Sequence, residues 1–306
     1  MLYTLTLNPS VDMNITTNAL MVDATTKTRE AVFTPSGKGL NVSFVLKAFG
    51  VPSTVLGFFG GFSGEHIVRS CHEADIPCKP VTIEGTTRVN VFLTDAEHEY
   101  KMVNEGPCIT DEDQEAMLSL IQELDDMDVL TVNGSAGRNV SLSFYERLLS
   151  IANRKGADVI LDISSPVLRD LLRFSPLLIK PNDEELQAIF GMRLTDEASA
   201  VSALRTLHDM GAQNVLLSMG KDGSYFYDGR HVYRCGVRQV KQRSSLCAGD
   251  GYLAAFLAHW LSDRSHIETA LRYAAATGAD VAASDGIGSL SHVEEYQREI
   301  DVKIIR

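Results

Sequence analysis

No two cysteines of this chain are spaced Cys-x-x-Cys, and the five present (Cys71, Cys78, Cys108, Cys235 and Cys247) are odd in number. This argues against a disulfide framework and a zinc site, and fits a reducing cytoplasm. The eight histidines include no His-Glu-x-x-His. No stretch approaches the ~20 apolar residues of a membrane span, and the first nine residues lack the basic flank and apolar length of a signal peptide. The expectation is a cytoplasmic protein. Positive charge is also scarce: 28 Lys and Arg stand against 40 Asp and Glu, a net charge of −12. Such a chain has no long-range attraction for nucleic acid or an anionic membrane. Any anionic substrate must therefore be held by local cations and backbone amides. Two familiar phosphate signatures are missing as well. There is no Gly-x-x-x-x-Gly-Lys-Ser/Thr string, and Val42 fills the third glycine position of the nearest Gly-x-Gly-x-x-Gly.

Hydrophobic residues make up 44% of the 306 and charged residues 22%, ordinary for a globular protein with a large core. Short apolar runs at 2–7, 54–58, 129–132, 159–162, 177–179 and 215–218 read as strands. Helical patterns at 39–49, 64–74, 141–154, 183–190 and 197–210 alternate with them, and two more, 251–262 and 266–284, close the last third. Strand-helix alternation predicts an α/β fold with a mostly parallel sheet covered on both faces. Residues 10–35 and 86–104 break the alternation with polar-apolar patterning, which predicts antiparallel strands in a small accessory sheet. Such a sheet is either a lid over a cleft or a cover for one edge of the core. Residues 296–306 read as a helix followed by a short strand. The carboxyl ends of the expected strands, where open parallel sheets bind ligands, are nearly all small, polar or glycine.

Several segments carry candidate chemistry, each beside a plainer reading. Ser244-Ser245-Leu246-Cys247-Ala248-Gly249-Asp250-Gly251 runs small residues into an apolar helix. Uncovered amides at a helix start, with the positive end of the dipole, form an anion site. Asp250 is placed there either to take a proton from an attacking hydroxyl or simply to cap the helix. Ser36-Gly37-Lys38-Gly39-Leu40-Asn41-Val42 offers close backbone approach and two donors, or is an ordinary glycine turn. In Lys180-Pro181-Asn182-Asp183-Glu184-Glu185, Asn182 and Glu185 share a helix face. They either order the water shell of Mg²⁺ or form a capping box. Ser218-Met219-Gly220-Lys221-Asp222-Gly223 admits a nucleotide or is a hairpin turn. Arg88 is a phosphate clamp or a solvated surface arginine.

The order of these segments is more specific than any one of them. Asn8-Pro-Ser-Val-Asp12, Gly37-Lys-Gly-x-Asn41, Gly60-Gly-Phe-Ser-Gly64 and Arg88-Val-Asn90 come first. Asn133-Gly-Ser135, Lys180-Pro-Asn-x-x-Glu185, Ser218-x-Gly220 and Ala248-Gly-Asp250 follow. The series resembles the ribokinase-like carbohydrate kinases of the phosphofructokinase B type, in the branch containing 1-phosphofructokinase and tagatose-6-phosphate kinase. The resemblance spans about residues 1–290.

It implies a three-layer ribokinase-like fold in one domain, with a β-sheet lid formed by about 10–35 and 86–104. It also implies ATP and Mg²⁺ as cofactors, and homodimerisation through the lids. By motif, Asp250 is the base, and the amides of Cys247, Ala248, Gly249 and Asp250 form the anion hole. Asp12, Gly37, Lys38, Asn41, Arg88, Asn90 and Ser135 are the substrate set. Lys180, Asn182, Glu185, Ser218, Gly220 and Gly223 are the nucleotide set, with Asn182 and Glu185 reaching the metal through water. The implied reaction is phosphorylation of a sugar phosphate, foremost fructose 1-phosphate to fructose 1,6-bisphosphate, with tagatose 6-phosphate as the alternative acceptor. Cys247 stands where the family has glycine, Ser36 replaces another glycine, and Ala136-Gly137 replaces Leu-Pro. These departures keep open a weakened kinase or a sugar-phosphate or nucleotide sensor.

Overall fold

The computed structural model describes residues 1–29, 31–243 and 247–305. Its first strands are β1 (Leu2–Thr6), β2 (Ser10–Thr16), β3 (Ala31–Ser36), β4 (Ser53–Phe59), β5 (Cys78–Thr82), β6 (Arg88–Thr94) and β7 (Glu99–Met102). The later ones are β8 (Val129–Gly134), β9 (Asp158–Ile163), β10 (Leu178–Ile179), β11 (Val215–Ser218), β12 (Ser224–Tyr227), β13 (Val232–Cys235) and β14 (Val302–Ile304). The helices are α1 (Lys38–Ala48), α2 (Gly61–Glu73), α3 (Asp111–Gln122), α4 (Leu142–Arg154), α5 (Val167–Leu171) and α6 (Asp183–Phe190). They continue with α7 (Glu197–Asp209), α8 (Ala248–Trp260), α9 (Ile267–Ala282) and α10 (Val293–Tyr296).

The ten-stranded sheet runs β14-β13-β12-β11-β10-β9-β8-β1-β4-β5. From β11 to β5 every neighbour is parallel, and β12 to β14 extend one edge antiparallel. Strand alternation assigns side chains to two cores. Tyr3, Leu5 and Leu7 enter one core with Met117 and Ile121 of α3 and Leu148 of α4, while Leu2 joins Val45 of α1, Leu253 of α8 and Leu271 of α9 on the other face. This is the three-layer arrangement the alternation predicts. Helix α8 is buried nearly all round, which suits its Tyr-Leu-Ala-Ala-Phe-Leu run.

Each expected strand and helix is present, with ends shifted by a few residues at most. The shift that matters is α8, which begins at Ala248 rather than 251. Helices α3 and α5 and strands β5, β12 and β13 were not expected. The entry to α3 is a capping box, Thr110 with Asp113, ahead of an acidic first turn that dilutes its apolar stripe.

The second sheet, ordered β3-β2-β6-β7, is built from the two segments that break the alternation. Its outer pairs, β2 with β3 and β6 with β7, are antiparallel as expected, but the central pair β2 and β6 is parallel. Alternating polarity defines a strand's faces and not the direction of its partner. The Gly60–Gly64 segment docks this sheet on the main body. The Gly60 amide donates to Thr87 Oγ1 at 3.0 Å and Ser63 Oγ donates to Thr87 O at 2.6 Å.

Candidate active site

The carboxyl ends of β1, β8 and β9 place Thr6, Asn133 and Asp162 in one lateral register, all buried. Helix α1 crosses above this row, and Gly39 makes the approach possible: a Cβ there would stand 2.4 Å from Thr6 Oγ1. Asp162 receives two cations on the same oxygen, Lys180 Nζ at 3.2 Å and Lys38 Nζ at 3.3 Å. Lys38 also donates to Ser164 Oγ at 2.8 Å and lies 3.5 Å from Glu185 Oε1. Burial opposes the charge on Asp162, but Lys180 and Lys38 outweigh it and hold the carboxyl below the usual range. Burial likewise opposes the Lys38 charge, and Asp162, Glu185 and Asp250 more than offset it. The result is a charge network concentrated on one strand edge of an acidic protein.

Helix α8 starts beside this network. Cys247 is its N-cap residue, and the amide of Gly251 makes the first intrahelical bond, to Cys247 O at 2.8 Å. The amides of Ala248, Gly249 and Asp250 therefore have no acceptor within the helix. Gly249 leaves room for Lys180, whose Nζ would lie 3.7 Å from a Cβ at that position.

Asp250 sits inside the first turn, and its side chain makes no cap. The simple capping reading is thereby removed. Instead Asp250 Oδ2 accepts from Asn41 Nδ2 at 2.8 Å, and the residue is 7% exposed. Burial first, and the charge of Asp162 second, push its carboxyl from the ordinary 3.8 to about 6, against the pull of Lys38, Asn41 and Lys180. A carboxylate tuned close to neutral pH, beside helix amides with no acceptor within the helix and two ammonium groups, is equipped to accept a proton while neighbouring donors receive negative charge.

Residues 6–293 match the pfkB family carbohydrate kinases. The chain belongs to that family. It is 42% identical over 302 residues to the D-tagatose-1-phosphate kinase of Klebsiella oxytoca, with 99% of each chain covered. It is 34% identical over 302 residues to the 1-phosphofructokinase of Bacillus subtilis, again with 99% of each covered. Phosphofructokinase-2 of Escherichia coli, solved in complex with substrates and products, superposes with a TM-score of 0.90 at 26% identity, covering 97% of this chain and 98% of that one.

In this carbohydrate kinase the residues named from sequence fall into three groups. Lys38, Asn41, Lys180, Glu185, Cys247 and Asp250 are joined by direct contacts or by charge. Asp12 borders them, since its charge, after burial and Asp250, helps keep the Cys247 thiol protonated. Asp12 Oδ1 accepts from Asn90 Nδ2 at 2.8 Å and Ser10 Oγ at 3.0 Å, so Asp12 and Asn90 form one buried pair across β2 and β6. Gly37, at φ 141° before α1, packs against Thr6.

Arg88 and Ser135 lie at the rim. The Arg88 guanidinium donates to the carbonyls of Asn8 at 3.0 Å, Asn104 at 3.1 Å and Pro9 at 3.4 Å, which ties the small sheet to β1. Three of its five N–H groups are spent on the protein itself. Among the described residues Ser135 Oγ meets only Asn8 Nδ2, at 3.5 Å.

The third group lies along the next strands. Asn182 and Ser218 form a parallel bridge. Asn182 and Glu185 do form the capping box, with Asn182 Oδ1 accepting from the Glu185 amide at 2.6 Å and Glu185 Oε2 from the Asn182 amide at 3.0 Å. Gly220 and Gly223 belong to the tight hairpin between β11 and β12, where a Cβ on Gly223 would strike Cys235 O at 2.4 Å. Ser244, Ser245 and Leu246 of the α8 motif lie outside the described residues. Asp162 was read from sequence only as a strand end, although an aspartate closing the apolar run Val159–Leu161 is the signal of a buried charge needing partners. No helix among the described residues is long and apolar enough to cross a membrane.

Proposed function

We propose that this kinase phosphorylates the 6-hydroxyl of a ketohexose 1-phosphate with ATP, using Asp250 as general base. The observation that carries the reading is the buried Asp250 carboxylate, pushed up to about 6, in the first turn of α8 beside three amides that have no acceptor within the helix. The carboxylate takes the hydroxyl proton as the oxygen attacks the γ-phosphorus. The new O–P bond forms in line with the breaking bond to the β-phosphate oxygen, and ADP leaves. The amides of residues 248–250 and Lys180 receive the charge of the migrating group.

Asp12, Asn41 and Gly37 are the proposed sugar contacts, with Lys38 for the sugar phosphate. Arg88 adds to the latter through its two remaining N–H groups. Ser218, Gly220 and Gly223 are the proposed wall for the nucleotide, and the small sheet built on β2 and β6 is the proposed lid, which excludes water from the cleft. For the metal, Asp162 Oδ2 is a hard oxygen of the kind that suits Mg²⁺ and is buried without a hydrogen-bond partner among the described residues, whereas Asp162 Oδ1, Ser164 Oγ and Glu185 Oε1 already hold the Lys38 ammonium. No cluster of three or more acidic, His or Cys side chains arranged for a metal occurs among them. Contact through water, from Asn182 and Glu185, fits that donor set. When bound, Mg²⁺ neutralises the nucleotide phosphates.

The sugar expected from sequence was fructose 1-phosphate. The higher identity to a relative named D-tagatose-1-phosphate kinase, 42% against 34% for the one named 1-phosphofructokinase, favours D-tagatose 1-phosphate. An ADP-release assay with Mg-ATP and D-tagatose 1-phosphate, fructose 1-phosphate and tagatose 6-phosphate tests the assignment. Turnover should be fastest with the first. No turnover with any, alongside retained ATP binding, would make the protein a sensor.

The pairings put Phe33 and Met102 in one row across the small sheet, with Met13 and Val91 between them, and both are about half exposed. Water-exposed apolar side chains grouped on one sheet support a homodimer formed through the lids.

A further inference from the structure

Cys247 adopts φ 65° and ψ −12°, the left-handed region that glycine enters freely and an L side chain enters with strain. Glycine would relieve that strain, yet this chain places a thiol there. The sulfur lies 3.2 Å from Asn41 Nδ2, and the same nitrogen lies 2.8 Å from Asp250 Oδ2. A primary amide nitrogen carries two hydrogens, enough to serve both acceptors. The arrangement also decides which way the Asn41 amide faces. Turned over, its carbonyl oxygen would meet the Asp250 carboxylate, with no donor between them. Burial, then the charges of Asp250 and Asp12, keep the Cys247 thiol protonated, so the sulfur is a weak neutral acceptor and not a nucleophile. Asparagine χ2 is a broad torsion, and a single contact fixes it poorly.

We infer that Cys247 is a positioning residue: its sulfur and Asp250 together clamp the Asn41 amide, and the clamp fixes the carboxylate that faces the acceptor hydroxyl. The inference rests on Asp250 being the base. It gives the glycine-to-cysteine departure a role in the reaction, at the expense of backbone comfort. The other charged groups around Asp250 are Lys38 on α1, Lys180 after β10 and Asp162 on β9. None of them touches the sulfur; Asn41 is the side chain in contact with both Cys247 and Asp250, and the double variant below separates its path from the backbone of the helix start that the two residues share.

The test compares Cys247→Gly, Cys247→Ser, Asn41→Ala and the Cys247→Gly/Asn41→Ala double variant in full-length enzyme, with Asp250→Asn as a separate control. Cys247→Gly should melt no lower than wild type, because glycine suits φ 65°. Its kcat should nonetheless fall about 3- to 10-fold, the kinetic equivalent of one hydrogen bond, with the KM for ATP within about twofold. Its acid limb should move to higher pH, since the Asn41 bond favours ionised Asp250. Cys247→Ser, which keeps an acceptor, should recover at least half the rate. In the Asn41→Ala background the glycine substitution should cost nothing further. Wild-type kcat and pH profile in Cys247→Gly, or an equal fall in both backgrounds, overturns the inference. Near-normal turnover by Asp250→Asn overturns the reading of the base itself.

Discussion

Replacing Asp250 by Asn should make the protein more stable and the enzyme nearly inactive, and the stability gain should vanish in acid. The folded carboxyl titrates at about 6 against an ordinary 3.8. A carboxyl with a raised folded value binds its proton more tightly folded than unfolded. The fold therefore loses stability as pH rises from about 4 to 6, and the whole cost is present above 6. Two units correspond to roughly 3 kcal/mol. Asparagine has the same shape, accepts from Asn41 through its carbonyl and carries no charge, so it escapes that cost. At this chain length ~3 kcal/mol raises Tm by about 5 °C. Urea unfolding of both proteins between pH 4 and 8 reads the difference directly. It should be near zero at pH 4, grow to pH 6 and stay level beyond. Activity moves the opposite way, since loss of a placed base costs about 10²–10⁴ in kcat, while ATP binding by titration calorimetry should be retained. A stability difference that does not change with pH, or an Asp250→Asn protein weaker than wild type at pH 8, would refute the account of why this carboxyl is raised.

Three more outcomes are expected. The pH profile of kcat/KM should fall tenfold per unit below about 6, where Asp250 is protonated; an acid limb near 4 would falsify the role of burial and of Asp162 in tuning the base. Gly39→Ala should destabilise the fold by about 1–3 kcal/mol in urea unfolding, because its Cβ would lie 2.4 Å from Thr6 Oγ1 and 3.1 Å from Leu5 O. Phe33→Asp, on the exposed face of the small sheet, should weaken self-association by ~2 kcal/mol in sedimentation equilibrium while leaving Tm at low concentration unchanged; an unaltered dimer would remove this face from the interface.

Much of the candidate site was legible because its residues are small, charged and placed where strands end. Apolar runs of strand length separated by amphipathic helices leave few topologies, so the parallel sheet and its functional edge followed directly. Lys38, Asn41, Glu185 and Asp250 were found by motif order, and contacts among them exist in the fold. Asp162 was overlooked because a single aspartate at a strand end looks like any loop residue until two lysines are seen closing on it. The Gly60–Gly64 segment belongs to the motif series, and only the fold shows what it does locally: its hydrogen bonds attach the small sheet.

Sequence alone determined the layers of this protein, the edge that bears its chemistry and the residue types available there, since periodicity and glycine placement are local properties of the chain. Tertiary structure decided what depends on through-space distance. It set the parallel pairing of β2 with β6, the anchoring of Arg88 on three carbonyls, the proton affinity of Asp250 and the sulfur contact of Cys247. Charge, burial and hydrogen-bond geometry act between groups far apart in the chain, and only the folded packing brings those groups within reach of one another.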